Sequence, residues 1–198
     1  MNQKDQCDAI TVYCSSSNHV DGVYLDAAYE MGELIAKNGY TLVFGGGRVG
    51  LMGAVSRGAR KHNGQVVGII LRKFMDVGVA DAKVREMLAV EDMRSRKQGL
   101  EEAGGAYIAL PGGFGTFEEI TEMISFKQLG FHTKPIVILN VNKYFDHLLN
   151  QFELGFQEKF IETRFREVYE VVDSPAEAMQ FLETYQPPEL DLKYRWPL

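Results

Sequence analysis

Six short runs of apolar and β-branched residues recur along the chain: AITVYC (9–14), YTLVF (40–44), QVVGIIL (65–71), AYIAL (106–110), PIVILN (135–140) and EVYEVV (167–172). Most are apolar nearly throughout rather than alternating, so a sheet built from them must be covered on both faces. The stretches between them are helix-length and amphipathic, long enough for the crossovers that join parallel strands. This pattern predicts an α/β fold: a single doubly wound, Rossmann-like domain with a mainly parallel sheet and helices on both faces. Helices are expected over 22–38, 50–62, 83–103, 116–129, 144–157 and 175–185, with Asp21 opening the first and Ser174-Pro175 with Glu177 opening the last.

At 198 residues with 45% apolar content, the chain is long enough to bury one core and short for two. The whole of 1–198 reads as one domain with its core from about 9 to 185, without internal repeat or linker. The tail PPELDLKYRWPL (187–198) cannot continue a helix through its prolines and is expected to pack across the surface or a partner, with Trp196 as anchor. A formal charge of -6 disfavours nucleic acid as a partner, although a local cationic site is compatible with it. The longest apolar runs are strand-sized, well short of the roughly 18 residues of a membrane span, so no membrane association is expected. Cys7 and Cys14 do not make a disulfide framework and no charged segment followed by an apolar run opens the chain, which points to the cytoplasm. His19, His62, His132 and His147 lack ligand spacing, and no metal is expected.

Ligands of open parallel sheets sit beyond the carboxyl ends of the strands. Three of those ends are chemically unusual here. The first strand exits into Ser15-Ser16-Ser17, where Ser16 is a candidate binding residue, the second into Gly45-Gly46-Gly47-Arg48-Val49-Gly50, and the fourth into LPGGFGTFEEI (110–120). The last is read as an anion site: a helix start offers free N–H groups and a favourable dipole, and Gly112, Gly113 and Gly115 lack the Cβ atoms that would keep a phosphate away. The Thr116 hydroxyl either caps the helix or donates to an anion oxygen. A tight turn with an ordinary cap is the competing reading.

Glu118 and Glu119 lie in the first turn, where carboxylates commonly just complement the dipole. Helical phase separates them: Phe117, Ile120 and Ile124 mark a buried face, and Glu119 lies on the same side as Thr116. A carboxylate beside a phosphate site repels it, so Glu119 is assigned to sugar hydroxyls or a water. Gly45, Gly47 and Gly50 satisfy G-x-G-x-x-G, but the third strand ends in Leu71-Arg72-Lys73 without the acid a dinucleotide ribose requires. Arg72 and Lys73 would suit a 2′-phosphate, and glycines for close packing are the alternative. In EDMRSRKQGL (91–100), Arg94 is read as solvated, whereas Arg96 and Lys97 offer counter-charge to a phosphate and a carboxylate together.

Taken together these residues resemble the Lonely Guy (LOG) family of nucleoside 5′-monophosphate phosphoribohydrolases, often labelled as possible lysine decarboxylases. The family pattern P-G-G-x-G-T-x-x-E is met by Pro111, Gly112, Gly113, Gly115, Thr116 and Glu119, and the element M-x-x-R-K by Met93, Arg96 and Lys97. FGGGRVGLMGA and QLGFHTKPIVILN are similar to further family stretches, so the likeness runs from about residue 9 to about 185. It departs at Ser15, where relatives carry glycine, and at Arg72-Lys73-Phe74-Met75, where many carry a proline and an acid. The resemblance implies cofactor-free hydrolysis of the N-glycosidic bond of a purine or cytokinin nucleoside 5′-monophosphate, by a homodimer with its sites near the subunit interface. By position, Arg96 and Glu119 become the catalytic pair, Lys97 and Gly113 to Thr116 bind the nucleotide, and Gly46 and Met93 line the pocket. Two other readings stand beside it: a non-catalytic nucleotide sensor, and a pyridoxal-phosphate-dependent lysine decarboxylase, for which Lys97 is the lysine nearest the phosphate loop.

Overall fold

A computed structural model describes residues 8–189. Residues 190–198, including Trp196, and Cys7 lie outside that range, so the expected packing of the tail is not among the described features. The elements alternate in the order β1 (Ala9–Tyr13), α1 (Gly22–Lys37), β2 (Thr41–Phe44), α2 (Gly50–Lys61), β3 (Val66–Leu71), α3 (Arg72–Asp76) and β4 (Glu86–Val90). They continue as α4 (Met93–Ala103), β5 (Ala106–Ala109), α5 (Phe114–Leu129), β6 (Ile136–Leu139), α6 (Asp146–Gln157), β7 (Glu170–Val172) and α7 (Pro175–Thr184). Short 3-10 segments cover Val141–Lys143 and Thr163–Val168.

The strands form one seven-stranded sheet in the order β4-β3-β2-β1-β5-β6-β7. Every neighbouring pair is parallel. Along each central strand successive side chains enter opposite cores. Ile10, Val12, Ala106, Ile108, Val137 and Leu139 pack with α1, α2 and α7, while Tyr13, Tyr107, Ala109, Ile136 and Ile138 pack with α4, α5 and α6. This is the doubly wound α/β domain that the apolar runs predict. The direction of winding reverses at β1, which lies between β2 and β5, and a crevice opens beyond that reversal.

Two expected elements are corrected. The helix expected over 83–103 is a strand followed by a helix: β4 pairs with β3 from Val67↔Glu86 to Leu71↔Val90. Glu-Met-Leu-Ala-Val favours a helix by propensity, but the open edge of β3 supplies a full set of backbone partners, and tertiary pairing prevails. Helix α4 then starts at Met93 because Asp92 caps it, its Oδ1 accepting from the Arg94 and Ser95 N–H groups at 2.8 and 3.0 Å. In EVYEVV only Glu170–Val172 is strand; the residues up to Val168 form a 3-10 turn that buries Phe165 and Val168 beneath α6.

Candidate active site

The carboxyl ends of β1, β2 and β5 are joined by hydrogen bonds between loops that are distant in sequence. Ser15 N–H donates to the Pro111 carbonyl (3.2 Å), Met52 N–H to the Ser15 carbonyl (3.2 Å) and Leu110 N–H to the Tyr13 carbonyl (2.9 Å). Gly50 N–H donates to Asn18 Oδ1 at 2.8 Å. Gly50 has φ +60, and a Cβ there would stand 2.6 Å from the Ser16 and Ser17 backbone, so the crossing of these loops requires glycine. Between them lies a cavity of about 320 Å³, walled by Tyr13, Cys14, Met52 and Leu100 and lined on its polar side by Ser16, Gly45, Arg96, Gly113, Gly115, Thr116 and Glu119.

Two helix starts border this cavity, and they differ. At α2 two of the first three amides are already engaged, Gly50 by Asn18 and Met52 by the Ser15 carbonyl. At α5 the cap is Gly113, which has no side chain to offer, and the first helical bond runs from Phe117 N–H to the Gly113 carbonyl at 3.0 Å. The Phe114, Gly115 and Thr116 N–H groups therefore have no intrahelical acceptor. A Cβ on Gly113 or Gly115 would meet nothing within 4 Å, so both backbones are open to a close-approaching group. The open backbone is thus at this end; in G-x-G-x-x-G, Gly50 serves the crossing of the loops, whereas Gly45 lines the cavity beside Arg96.

Across the cavity from that helix start lies an ion pair. Helix α4 is held against β1 by the buried Thr11 hydroxyl, which donates to the Leu100 carbonyl at 2.8 Å. This placement directs Arg96 inward, where Nη1 donates to Glu119 Oε1 at 2.9 Å and Nε to the Ile69 carbonyl at 3.1 Å. The two side chains are only 13% and 11% exposed. Burial raises the Glu119 pKa above the ordinary carboxylate value, against the pull of Arg96. Glu119 is thus a desolvated carboxylate beside a cavity, holding its proton more tightly than a surface glutamate does. Burial, followed by the nearby Glu119 charge, pushes the Cys14 thiol far up, which keeps it protonated and a poor nucleophile.

The sequence profile of a family described as possible lysine decarboxylase matches residues 52–182. A probable cytokinin riboside 5′-monophosphate phosphoribohydrolase of Oryza sativa subsp. japonica is 41% identical over 179 residues, covering 90% of this chain and 73% of the relative. The chain belongs to the LOG family. A cytokinin riboside 5′-monophosphate phosphoribohydrolase of Arabidopsis thaliana, another LOG protein, is 37% identical over 184 residues, covering 93% of this chain and 81% of its own. Among solved structures, the molybdenum cofactor binding protein of Rippkaea orientalis superposes with a TM-score of 0.69 at 22% identity, over 89% of this chain and 96% of that one. At that identity the likeness speaks for the fold alone.

Of the residues singled out in this LOG chain, Ser16, Arg96, Gly113, Gly115, Thr116 and Glu119 line the cavity together. Four others do not. Gly112 is packed behind the loop against Thr116 Oγ1 and the Ser15 amide, and Gly46 turns the chain at φ +76 against Ile70 and Met87. Met93 is exposed at the start of α4. Lys97 faces outward and bridges α4 to α5 through Glu118 and through Glu122 at 3.0 Å. Those carboxylates, Glu118 first, raise the Lys97 pKa and hold it charged, the opposite of what a Schiff-base lysine requires. Arg72 is occupied by Glu91 at 2.6 Å. Tyr13, Cys14, Met52 and Leu100 were not singled out as lining residues; as apolar positions they carry no signal separating a cavity wall from a core.

Proposed function

We propose that the protein hydrolyses the N-glycosidic bond of purine or cytokinin nucleoside 5′-monophosphates, such as AMP or isopentenyladenosine monophosphate, to free base and ribose 5-phosphate. The observation that carries this reading is the buried Arg96–Glu119 pair at 2.9 Å, lining one cavity with an uncapped, glycine-opened helix start. The 5′-phosphate binds at the Gly113 to Thr116 amides, aided by the helix dipole. Its binding energy fixes the ribose relative to Glu119.

Cleavage of the bond from C1′ to the base nitrogen builds oxocarbenium character on the sugar and negative charge on the base. Glu119 stabilises the first, holds the ribose hydroxyls and accepts the proton of the attacking water; the water oxygen ends on C1′ and a proton on the departing base. Arg96 remains cationic and orients Glu119 without shuttling protons. The protein acts as a homodimer, a reading supported by Phe114, 91% exposed in the glycine loop, and the cytoplasm is the compartment that a chain with two cysteines and no disulfide framework suits.

A panel of nucleoside monophosphates, followed by chromatography for released base, tests the assignment. Adenine release from AMP with little from adenosine is the expected result. Equal cleavage of adenosine and AMP sinks the phosphate anchor, and nucleotide binding without base release makes the protein a sensor.

A further inference from the structure

We propose that Tyr144 is a positioning residue for the phosphate site, acting through the peptide that joins Gly112 to Gly113; this rests on the reading of the α5 start as that site. The Tyr144 hydroxyl donates to the Gly112 carbonyl at 2.5 Å. In a trans peptide the carbonyl and the following N–H point in opposite directions. Fixing the Gly112 carbonyl on Tyr144, which does not line the cavity, turns the Gly113 N–H away from Tyr144, while Gly113 itself does line the cavity. A peptide flanked by two glycines has little of its own to hold that orientation.

The turn that delivers Tyr144 is costly and held from several sides. Asn142 and Lys143 adopt φ 51 and 60, the left-handed region that non-glycine residues rarely occupy. Asn140 Oδ1 accepts from Phe145 N–H at 2.7 Å, and Asn140 Nδ2 donates to Asp146 at 2.8 Å. Lys143 pairs with Asp173 at 2.8 Å. The Tyr144 ring stacks on Phe117 of α5 with centroids 6.4 Å apart and meets Tyr24 of α1 edge-on at 5.8 Å. The hydroxyl is thereby fixed relative to the helix whose start it organises.

Tyr144→Phe removes the hydroxyl and keeps the ring contacts. Calorimetry with inorganic phosphate and with ribose 5-phosphate is expected to show binding weaker by about tenfold, the effect of one lost hydrogen bond. The KM for AMP rises in step while kcat changes little, and turnover of adenosine, which has no phosphate, is unaltered. Unchanged phosphate affinity, or an equal loss on adenosine, overturns the proposal. Tyr144→Leu, which also loses the ring, lowers the melting temperature further but weakens phosphate no more than the phenylalanine variant does; a further drop in affinity makes the ring, not the hydroxyl, responsible and overturns it. In the unsubstituted protein, phosphate must shift the Gly113 amide resonance, a readout that survives a variant failing to fold; no shift overturns the proposal. A protein that binds ribose 5-phosphate but releases no base defeats the hydrolase reading while leaving this one to be judged by calorimetry.

Discussion

Replacing Arg96 with methionine leaves the Glu119 carboxylate buried without its guanidinium. The side chains are 13% and 11% exposed, so water does little to screen the pair. Breaking one side of a buried pair costs about 3–5 kcal/mol when the surviving group stays charged. Glu119 escapes part of that cost by taking up a proton, because burial already holds its pKa above the ordinary value and Arg96 is the main influence drawing it down. A raised carboxylate pKa means that the folded chain binds more protons than the unfolded chain, so stability is lost as pH rises above the unfolded value. The deficit of Arg96→Met is therefore small in the ordinary carboxylate range and grows to about 3 kcal/mol at neutral pH. At roughly 2–4 °C per kcal/mol for a chain of this size, the neutral-pH melting temperature drops by about 6–12 °C. Arg96→Met/Glu119→Gln, with no charge left unpaired, should recover at least half of the loss. Thermal melts across pH on the four proteins of this cycle give the answer. An equal deficit at acid and neutral pH, or a double variant no better than the single one, refutes the assignment of Glu119 as a desolvated charge held by Arg96.

Glu119→Gln keeps the shape of the site and is expected to slow base release from AMP by about two orders of magnitude or more while ribose 5-phosphate binding is retained; near-normal turnover removes Glu119 from the chemistry. In the unsubstituted enzyme, the acid limb of the kcat/KM profile should have its midpoint above the ordinary glutamate value, since the carboxylate form is the active one and burial raises its pKa. Gly115→Ala meets no steric obstacle in the fold and favours the helix, so the melting temperature should hold or rise while phosphate affinity falls; unchanged affinity argues against phosphate at these amides. Lys127 is buried, and burial lowers its pKa to about 8, with the ammonium 4.8 Å from the Tyr185 ring centroid. Lys127→Met should stabilise by about 1–3 kcal/mol at neutral pH. The advantage shrinks as pH rises from about 8 toward the ordinary lysine value, because there the unfolded chain binds more protons and the native lysine ceases to be penalised.

The sequence was legible where one local pattern had one physical outcome. Unbroken apolar runs such as IVIL at 136–139 had to be covered on both faces, and they are. The run from 83 to 103 was not legible, because Glu86 to Val90 suit a helix taken alone and become a strand only beside the free edge of β3. Asp92 was the local sign of the break, a capping residue followed by helix formers. Arg96 and Lys97 show a second limit. Adjacent in sequence, they lie about 100° apart around α4, so one enters the cavity and the other bridges to the outer face of α5. Which of the two turns inward depends on how α4 is rotated, and that is set by the Thr11 hydroxyl on Leu100, a contact between residues 89 positions apart.

The two glycine loops make the same point about function. Both follow a parallel strand, both open a helix, and both satisfy a phosphate-binding pattern on paper. What separates them is the supply of competing acceptors. Asn18 reaches across to the Gly50 amide and the Ser15 carbonyl to that of Met52, so two of the first three α2 amides are satisfied by the protein itself. At the α5 start no side chain caps the helix, and the nearest serine loop presents Pro111 with a donor rather than an acceptor. Amides without acceptors at a water-accessible helix end are tolerable because solvent or an anion can satisfy them. On the function proposed, the anion site is the place where the fold withholds the acceptors it supplies elsewhere, and that distinction rests on residues outside the motif.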